Sequence, residues 1–286
     1  MKKKAGKKRV SKRGKTRKNN LIDKVAGDKT RLFLLAILVV GLLIRLYFFI
    51  GFNRSDVPQY AVEAFWVEKE GLKLPFTIIQ TRLMMIYPTV VLYKIFGINN
   101  FSISILPLIY DLGNIVLIYL MGRLFFSQRV GLVAALLLAF YPLHVLYSTQ
   151  LMPDVIIAFF TSLSLYLLFK SDFTDGKNEK TTYLGAKKSE IISFCGGISL
   201  GLSYLLREQA LIFLLFIGIY CGFNIIIKKR GLRNYVFFMV GAFIIFLGEN
   251  LFYYLVLGGS IEKFFFYRYD IFFKTAEGSI NDDILY

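Results

Sequence analysis

The sequence predicts an all-α polytopic membrane protein with about seven transmembrane helices. Of its 286 residues, 56% are hydrophobic and only 19% are charged, whereas soluble domains carry about 25% charged residues. A helix needs about 20 apolar residues to cross a bilayer, and seven segments of the chain approach or exceed that length. The residues left over are loops, too few for a large soluble domain beside the helices.

The seven predicted spans follow one another from the end of a basic tail to near the C-terminus. The first follows a long basic region and has no small-residue cleavage pattern, so it is interpreted as a retained signal-anchor. Only Arg207 and Glu208 separate the fifth span from the sixth, which predicts either a tight helical hairpin or one broken element. The spans are 32–52, 101–122, 130–147, 153–169, 191–206, 209–227 and 234–257.

The distribution of basic residues predicts the orientation. Residues 1–31 hold 14 Lys and Arg against two acids, so the tail carries most of the net charge of +16. With this tail in the cytoplasm, 25 of the 35 bases fall in cytoplasmic segments and nine in outer ones, as the positive-inside rule requires. The tail could bind nucleic acid or anionic lipid. We interpret it as a cytoplasmic anchor that meets membrane lipids and not nucleic acid, and we expect residues 258–286 outside.

The first outer loop, residues 53–100, is rich in aromatic and aliphatic residues and does not resemble a flexible linker. Its run QYAVEAFWVEKEG places Tyr60, Ala64 and Val67 on one helical face, which predicts an interfacial amphipathic helix. The following run LMMIYPTVVLYKIFG is apolar but contains Pro88 and a lysine. Spanning the bilayer with it would reverse every later loop, so a re-entrant or surface-lying helix pair is expected, roofing a cavity at the membrane surface.

Two carboxylates of the outer loops are candidate catalytic residues. Asp56 follows the first span closely and precedes Pro58; it could deprotonate a hydroxyl or hold a divalent cation. Asp56 also fits a helix N-cap. Asp154 follows Pro153 and opens the fourth span, where an acid also suits the helix dipole. Both acids lie on the outer side and can face one cavity.

Two arginines on the same side are candidate phosphate ligands. Arg82 lies in the first outer loop, and Arg207 lies between two apolar segments, where a charge is unfavourable without a partner. Guanidinium groups bind phosphate oxygens bidentately, so the set suits a lipid-linked phosphate donor. The alternative for Arg207 is an ion pair with a neighbour such as Asp154, or snorkelling. The single histidine, His144, cannot build a histidine-rich metal site.

The order of these elements resembles the GT-C superfamily of polyprenyl-phosphate-sugar-dependent glycosyltransferases. That superfamily includes the protein O-mannosyltransferases, the aminoarabinose transferases of lipid A and the RgtA/B/C/D-like group. The resemblance covers about residues 32–257. It is carried by Asp56 with Tyr60, where Val57 replaces the second acid of the usual Asp-Glu motif. It is also carried by YPTVVLYKIFG, by GRLFFSQRVGLVAALLLAFYPLHVLYSTQLMPDVIIAFF and by YLLREQALIF.

The resemblance implies an inverting transfer of a sugar from a polyprenyl- or dolichyl-phosphate donor to a protein, lipid or glycan acceptor at the outer face. It implies that Asp56 is the general base and that Asp154 positions the acceptor or a cation. The departing lipid phosphate would be stabilised by the arginines. The implied substrate-binding residues are Tyr60, Arg82, Arg207 and Glu208.

Relatives in this superfamily usually continue with more helices and often a soluble outer domain, so a partner that supplies further C-terminal helices is an expectation. Two other functions stay open. A transporter or flippase of a lipid-linked or anionic substrate would show inverted repeats with matched broken helices, and none is apparent in the sequence. A non-catalytic membrane assembly subunit would not need the amphipathic outer loop that bears Asp56.

Overall fold

The computed structural model describes residues 29–53, 56–71, 79, 81–174, 186–227 and 232–257, with side chains described up to residue 255. The predictions for the basic tail lie almost entirely outside these residues. So do those for most of the loop after the fourth span and for residues 258–286.

The described residues form helices and no β-strand. The helices are α1 (Lys29–Tyr47), α2 (Val57–Glu70), α3 (Leu83–Phe96), α4 (Asn100–Phe125), α5 (Gln128–Phe140), α6 (Pro142–Tyr147), α7 (Pro153–Thr174), α8 (Lys188–Tyr204), α9 (Ile212–Ile226) and α10 (Arg233–Leu257). A 3-10 turn over Glu208–Leu211 precedes α9. The prediction of an all-α polytopic membrane protein is confirmed.

All seven predicted spans are helical, but they are not equally long. Within the described ranges, five helices are long and apolar enough to cross a membrane, namely α1, α4, α7, Glu208–Ile226 and α10. The third predicted span is broken into α5 and α6, because Pro142 begins a new helix and Tyr141 before it is extended, with φ −68° and ψ 118°. A residue before proline is disfavoured in the α conformation.

The fifth predicted span, α8, has 17 residues and is therefore about 26 Å long at 1.5 Å per residue. It packs against both α7 and α10. Its buried serines make this packing partly polar: the Ser193 hydroxyl donates to the Asn234 carbonyl at 2.6 Å and the Ser199 hydroxyl to the Phe160 carbonyl at 2.8 Å. Hydrogen bonds from small side chains are a common way to join helices in lipid.

The contact between α8 and α10 depends on glycines. A Cβ atom added to Gly197 would lie 1.8 Å from the Phe238 carbonyl oxygen, and one added to Gly241 would lie 2.3 Å from the Phe194 carbonyl oxygen. Neither position has room for a methyl group. Small residues allow the backbones of membrane helices to approach closely, so these glycines set the spacing of the two helices.

The first interhelical loop folds into the helix pair α2 and α3. Tyr60 and Ala64 are buried against α3, as the amphipathic pattern predicts. The Tyr93 hydroxyl of α3 donates to the Ala61 carbonyl of α2 at 3.2 Å. Burial raises the pKa of Tyr93 to about 12, so the phenol stays protonated at neutral pH and keeps this hydrogen bond. α3 is one continuous helix that includes Pro88.

This helix pair covers one end of the bundle, which we call the α2–α3 end. A single buried apolar cluster joins it to the starts of α4 and α7 and to the segment that follows α8. Members of the cluster from these elements are Val57, Tyr60, Met85, Ile103, Ile156 and Leu206. The loop therefore packs as part of the bundle.

The α8–α10 contact gives a test of the fold. Gly197→Ala should lower the apparent melting temperature of the purified protein, because forcing a methyl group against the α10 backbone typically costs about 1–3 kcal/mol. Gly218→Ala in α9 is the matched control, since its Cβ would meet nothing within 4 Å. Equal melting temperatures for the two variants would contradict this packing.

Candidate functional site

The predicted site residues lie at the α2–α3 end, around the cluster just described. Asp56 immediately precedes α2, and Asp154 lies in the first turn of α7. Arg207 and the half-buried Glu208 lie in the break between α8 and α9. In the sequence, each of these three segments adjoins a member of the buried cluster. The fold therefore brings three sequence-distant segments with candidate residues to one end of the bundle.

Asp56 is exposed at the N-cap position of α2, but its side chain makes no capping hydrogen bond within the described residues. Its backbone is helical, with φ −76° and ψ −14°, whereas an N-cap residue is usually extended. The cap interpretation of Asp56 is therefore not supported by this geometry. Among the described residues, no hydrogen bond joins the Asp56 side chain to that of Asp154.

Tyr60 and Arg82 are in direct contact. The guanidinium carbon of Arg82 lies 5.0 Å from the centroid of the Tyr60 ring, which is cation–π geometry. Tyr60 is 1% exposed and Arg82 is 7% exposed. Because the Tyr60 ring is buried, it can influence a bound ligand only by positioning Arg82.

Arg207 pairs with Asp154. Its Nη1 atom lies 3.4 Å from Asp154 Oδ1, and the two side chains are 31% and 59% exposed. This is the ion-pair alternative stated from the sequence. An exposed pair contributes only about 0–1 kcal/mol, so a phosphate group could replace the carboxylate. Arg207 itself is extended, with φ −164° and ψ 139°, which shows that the fifth and sixth spans are separate helices.

The sequence reasoning missed a buried polar network beside these residues. Arg45 of α1 and Asp111 of α4 are both 0% exposed, and Arg45 Nε donates to Asp111 Oδ2. Asp111 Oδ1 lies 2.7 Å from His144 Nδ1 of α6. Arg45 Nη1 also donates to the carbonyls of Gly41 at 2.9 Å and Ala139 at 3.0 Å. The network therefore joins α1, α4, α5 and α6.

A signal for this network was present in the sequence. Arg45 and Asp111 are lone charges inside apolar spans, and such residues face the protein interior and pair with one another. Their pairing could not be derived from local pattern, because 66 positions separate them.

His144 connects this network to the predicted site. It lines a groove of about 230 Å³ together with Asp154. The other residues of the groove wall are Tyr141, Leu143, Tyr147, Val155 and Ala158. One predicted catalytic residue and one missed residue thus share a surface.

In the ranges that the structure describes, no group of three or more His, Cys, Asp and Glu residues could hold a metal ion.

The fold matches solved structures of a larger membrane protein. It matches the apo crystal structure of the Archaeoglobus fulgidus oligosaccharyltransferase with a TM-score of 0.60 and 19% identity, over 78% of this chain and 29% of that one. It also matches oligosaccharyltransferase AglB from the same archaeon, in complex with an inhibitory peptide and a dolichol-phosphate. The TM-score there is 0.59 and the identity 18%, over 79% of this chain and 29% of that one. The chain thus spans about three tenths of the length of these structures.

A match to a protein family is more specific than the match of the fold. Residues 82–253 match the model of the family described as dolichyl-phosphate-mannose-protein mannosyltransferase. The chain belongs to this family, as the resemblance to the GT-C superfamily predicted. A comparison with curated proteins gives no match.

The buried ion pair gives a test of the network. Asp111→Leu should destabilise the protein by about 3–5 kcal/mol, since it leaves the charge of Arg45 buried without its carboxylate. The double variant Arg45→Met with Asp111→Leu removes both charges and should recover most of that loss. Melting temperature and yield of folded protein measure the effect, and a double variant no more stable than the single one would contradict the pairing.

Proposed function

We propose that this chain transfers a sugar from a dolichyl- or polyprenyl-phosphate donor to an acceptor hydroxyl at the α2–α3 end, with inversion. The acceptor belongs to a protein, a lipid or a glycan. Membership of the mannosyltransferase family supports the reaction type. The observation that carries the assignment of the base is Asp56, a carboxylate exposed at this end and not used as a helix cap.

In the proposed reaction, the acceptor oxygen attacks the anomeric carbon of the donor and Asp56 accepts the proton of that hydroxyl. The bond between the anomeric carbon and the phosphate oxygen breaks, and its electron pair leaves with the lipid phosphate. An ionised carboxylate can serve as this base. One displacement from the opposite face inverts the anomeric configuration.

The two arginines are proposed to stabilise the negative charge that grows on the leaving phosphate. Arg207 can reach a phosphate by giving up its exposed and therefore weak pair with Asp154. Arg82 differs, because it is buried and held over the Tyr60 ring. We assign Tyr60 the role of positioning Arg82, and we place Glu208 beside Arg207 at the same site.

We also propose that the N-terminus is cytoplasmic and the α2–α3 end faces outward. The support is the distribution of 25 bases in the segments assigned to the cytoplasm against nine in the outer ones. The family match favours a transferase over the transporter and the assembly subunit that the sequence left open.

The proposed base can be tested by a transfer assay. Full-length protein in membranes is supplied with radiolabelled dolichyl-phosphate mannose and membrane extract as the acceptor source, and labelled product is measured. Asp56→Asn keeps the size of the side chain and removes its basicity, so turnover should fall by about 10²–10⁴ while donor binding remains. Glu70→Gln, at the other end of α2, is the matched control and should retain turnover.

Two results of this assay have different meanings. Wild-type turnover in the Asp56→Asn protein would remove Asp56 from the chemistry. A wild-type protein that neither binds nor transfers any lipid-linked sugar would refute the proposed function.

The proposed orientation can be tested with reporter fusions. A reporter placed after Lys73 should be active only outside the cell membrane, and one placed after Lys180 only in the cytoplasm. The opposite location at either site would overturn the orientation.

A further inference from the structure

We propose that His144 accepts a hydrogen bond, through Nε2, from a hydroxyl of the sugar or of the acceptor bound in the groove that it shares with Asp154. Asp111 orients the ring, and Arg45 fixes Asp111. The inference rests on the proposed function and adds a site for the hydroxyl-bearing part of the substrate.

The first step is the position of the proton on His144. Arg45 pairs with Asp111, so the carboxyl group is an ionised acceptor. An ionised carboxylate cannot donate, and the 2.7 Å contact with His144 Nδ1 therefore requires the proton on that nitrogen. In the neutral ring the other nitrogen, Nε2, then carries a lone pair.

The second step is the direction of that lone pair. Asp111 is 0% exposed, whereas the His144 side chain is 23% exposed. Since the Nδ1 edge is turned toward the buried carboxylate, the exposed edge is the one that bears Nε2. His144 lines the groove, so this edge is open to a ligand there. Among the described residues, Asp111 is the hydrogen-bond partner that the structure gives the His144 side chain.

The third step is the chemistry of the groove. Asp154 and His144 both line it. A carboxylate and the Nε2 lone pair are both acceptors, and two acceptors select a ligand that brings donors. Hydroxyl groups are such donors, whereas a phosphate would meet the lone pair of Nε2 and the negative charge of Asp154. The Tyr141 ring lies 6.0 Å from the His144 ring, and Tyr147 completes an aromatic wall on which the C–H groups of a sugar can pack.

The arrangement is therefore a built site for a hydroxyl-bearing ligand. The ion pair with Arg45 fixes the position of Asp111. Asp111 in turn keeps the proton of the neutral His144 ring on Nδ1, so Nε2 accepts a hydrogen bond. The outer partner of a histidine commonly sets the ring orientation and tautomer in this way.

The tautomer can be observed directly, because His144 is the only histidine in the chain. Protein labelled with ¹⁵N in the imidazole ring, carrying an affinity tag without histidine, is placed in lipid nanodiscs. Nitrogen NMR should show one ring, protonated at Nδ1 and not at Nε2. A proton on Nε2 at neutral pH, in the neutral ring or in an imidazolium, would overturn the proposal without any ligand.

The ligand is tested in the same sample with three probes. Dolichyl-phosphate mannose should shift the Nε2 resonance and dolichyl phosphate should not, if the hydroxyl belongs to the donor sugar. If it belongs to the acceptor, a Ser/Thr-rich peptide should produce the shift. Donor binding is measured independently by equilibrium binding of the radiolabelled lipid.

A matched pair of variants separates the two ring nitrogens. His144→Asn places an amide near the position of Nδ1, so it can keep the Asp111 contact. It has no acceptor at the position of Nε2. His144→Gln reaches the position of Nε2 with an amide oxygen that can accept. We expect about tenfold weaker binding of the hydroxyl-bearing probe, or a tenfold higher KM for the peptide, in the Asn variant. The Gln variant should show a smaller loss of affinity. The Asn variant should keep the wild-type melting temperature, whereas the Gln variant should melt lower because the buried Asp111 oxygen loses its donor.

Failure of this inference can be distinguished from failure of the proposed function. If dolichyl-phosphate mannose binds but no probe shifts Nε2, and both variants keep wild-type affinity and KM, the inference is wrong and the proposed function stands. If the wild-type protein binds neither the donor nor the peptide, both are wrong.

Discussion

The buried pair of Arg45 and Asp111 is the constraint on which this end of the bundle depends. Removing two charges from water is unfavourable, and their mutual attraction together with further hydrogen bonds offsets that cost. Arg45 therefore reaches Asp111 on α4 and the Ala139 carbonyl near the end of α5. Gly41, one turn earlier on α1, leaves room for the guanidinium, because a Cβ there would lie 3.3 Å from Arg45 Nη1. The positions of three helices are thus tied to one side chain.

The short helix α6 connects the Arg45–Asp111 pair to the candidate site. Pro142 ends α5 and starts α6 in a new direction, and α6 carries His144 to Asp111. The next helix, α7, carries Asp154 in its first turn, and Asp154 lines the same groove as His144. The helix that begins at Pro142 therefore brings a histidine to the groove that a candidate catalytic carboxylate also lines.

Much of the fold was predictable because hydropathy and local pattern encode it. The seven apolar segments became helices, and the period of Tyr60 and Ala64 correctly predicted the buried face of α2. The break at Pro142 was missed because the apolar composition continues across it. The pairing of Arg45 with Asp111 was missed because it joins positions 66 residues apart. The sequence assigned the candidate residues to one side of the membrane, and the fold places them at one end of the bundle. Their contacts could not be predicted, because they depend on packing between distant segments.

The α2–α3 end has cationic side chains in one part and hydrogen-bond acceptors in another. On the proposed function, these two parts suit the phosphate and the hydroxyl groups of the donor. Arg82 and Arg207 offer cations, whereas the groove with His144 offers acceptors. Asp154 belongs to both, because it pairs with Arg207 at 3.4 Å and lines the groove. On the proposed function, a phosphate that binds Arg207 displaces a weak exposed contact and leaves the Asp154 carboxylate to accept a hydroxyl. Occupation of the phosphate position would then prepare the hydroxyl position beside it, without any movement of the helices.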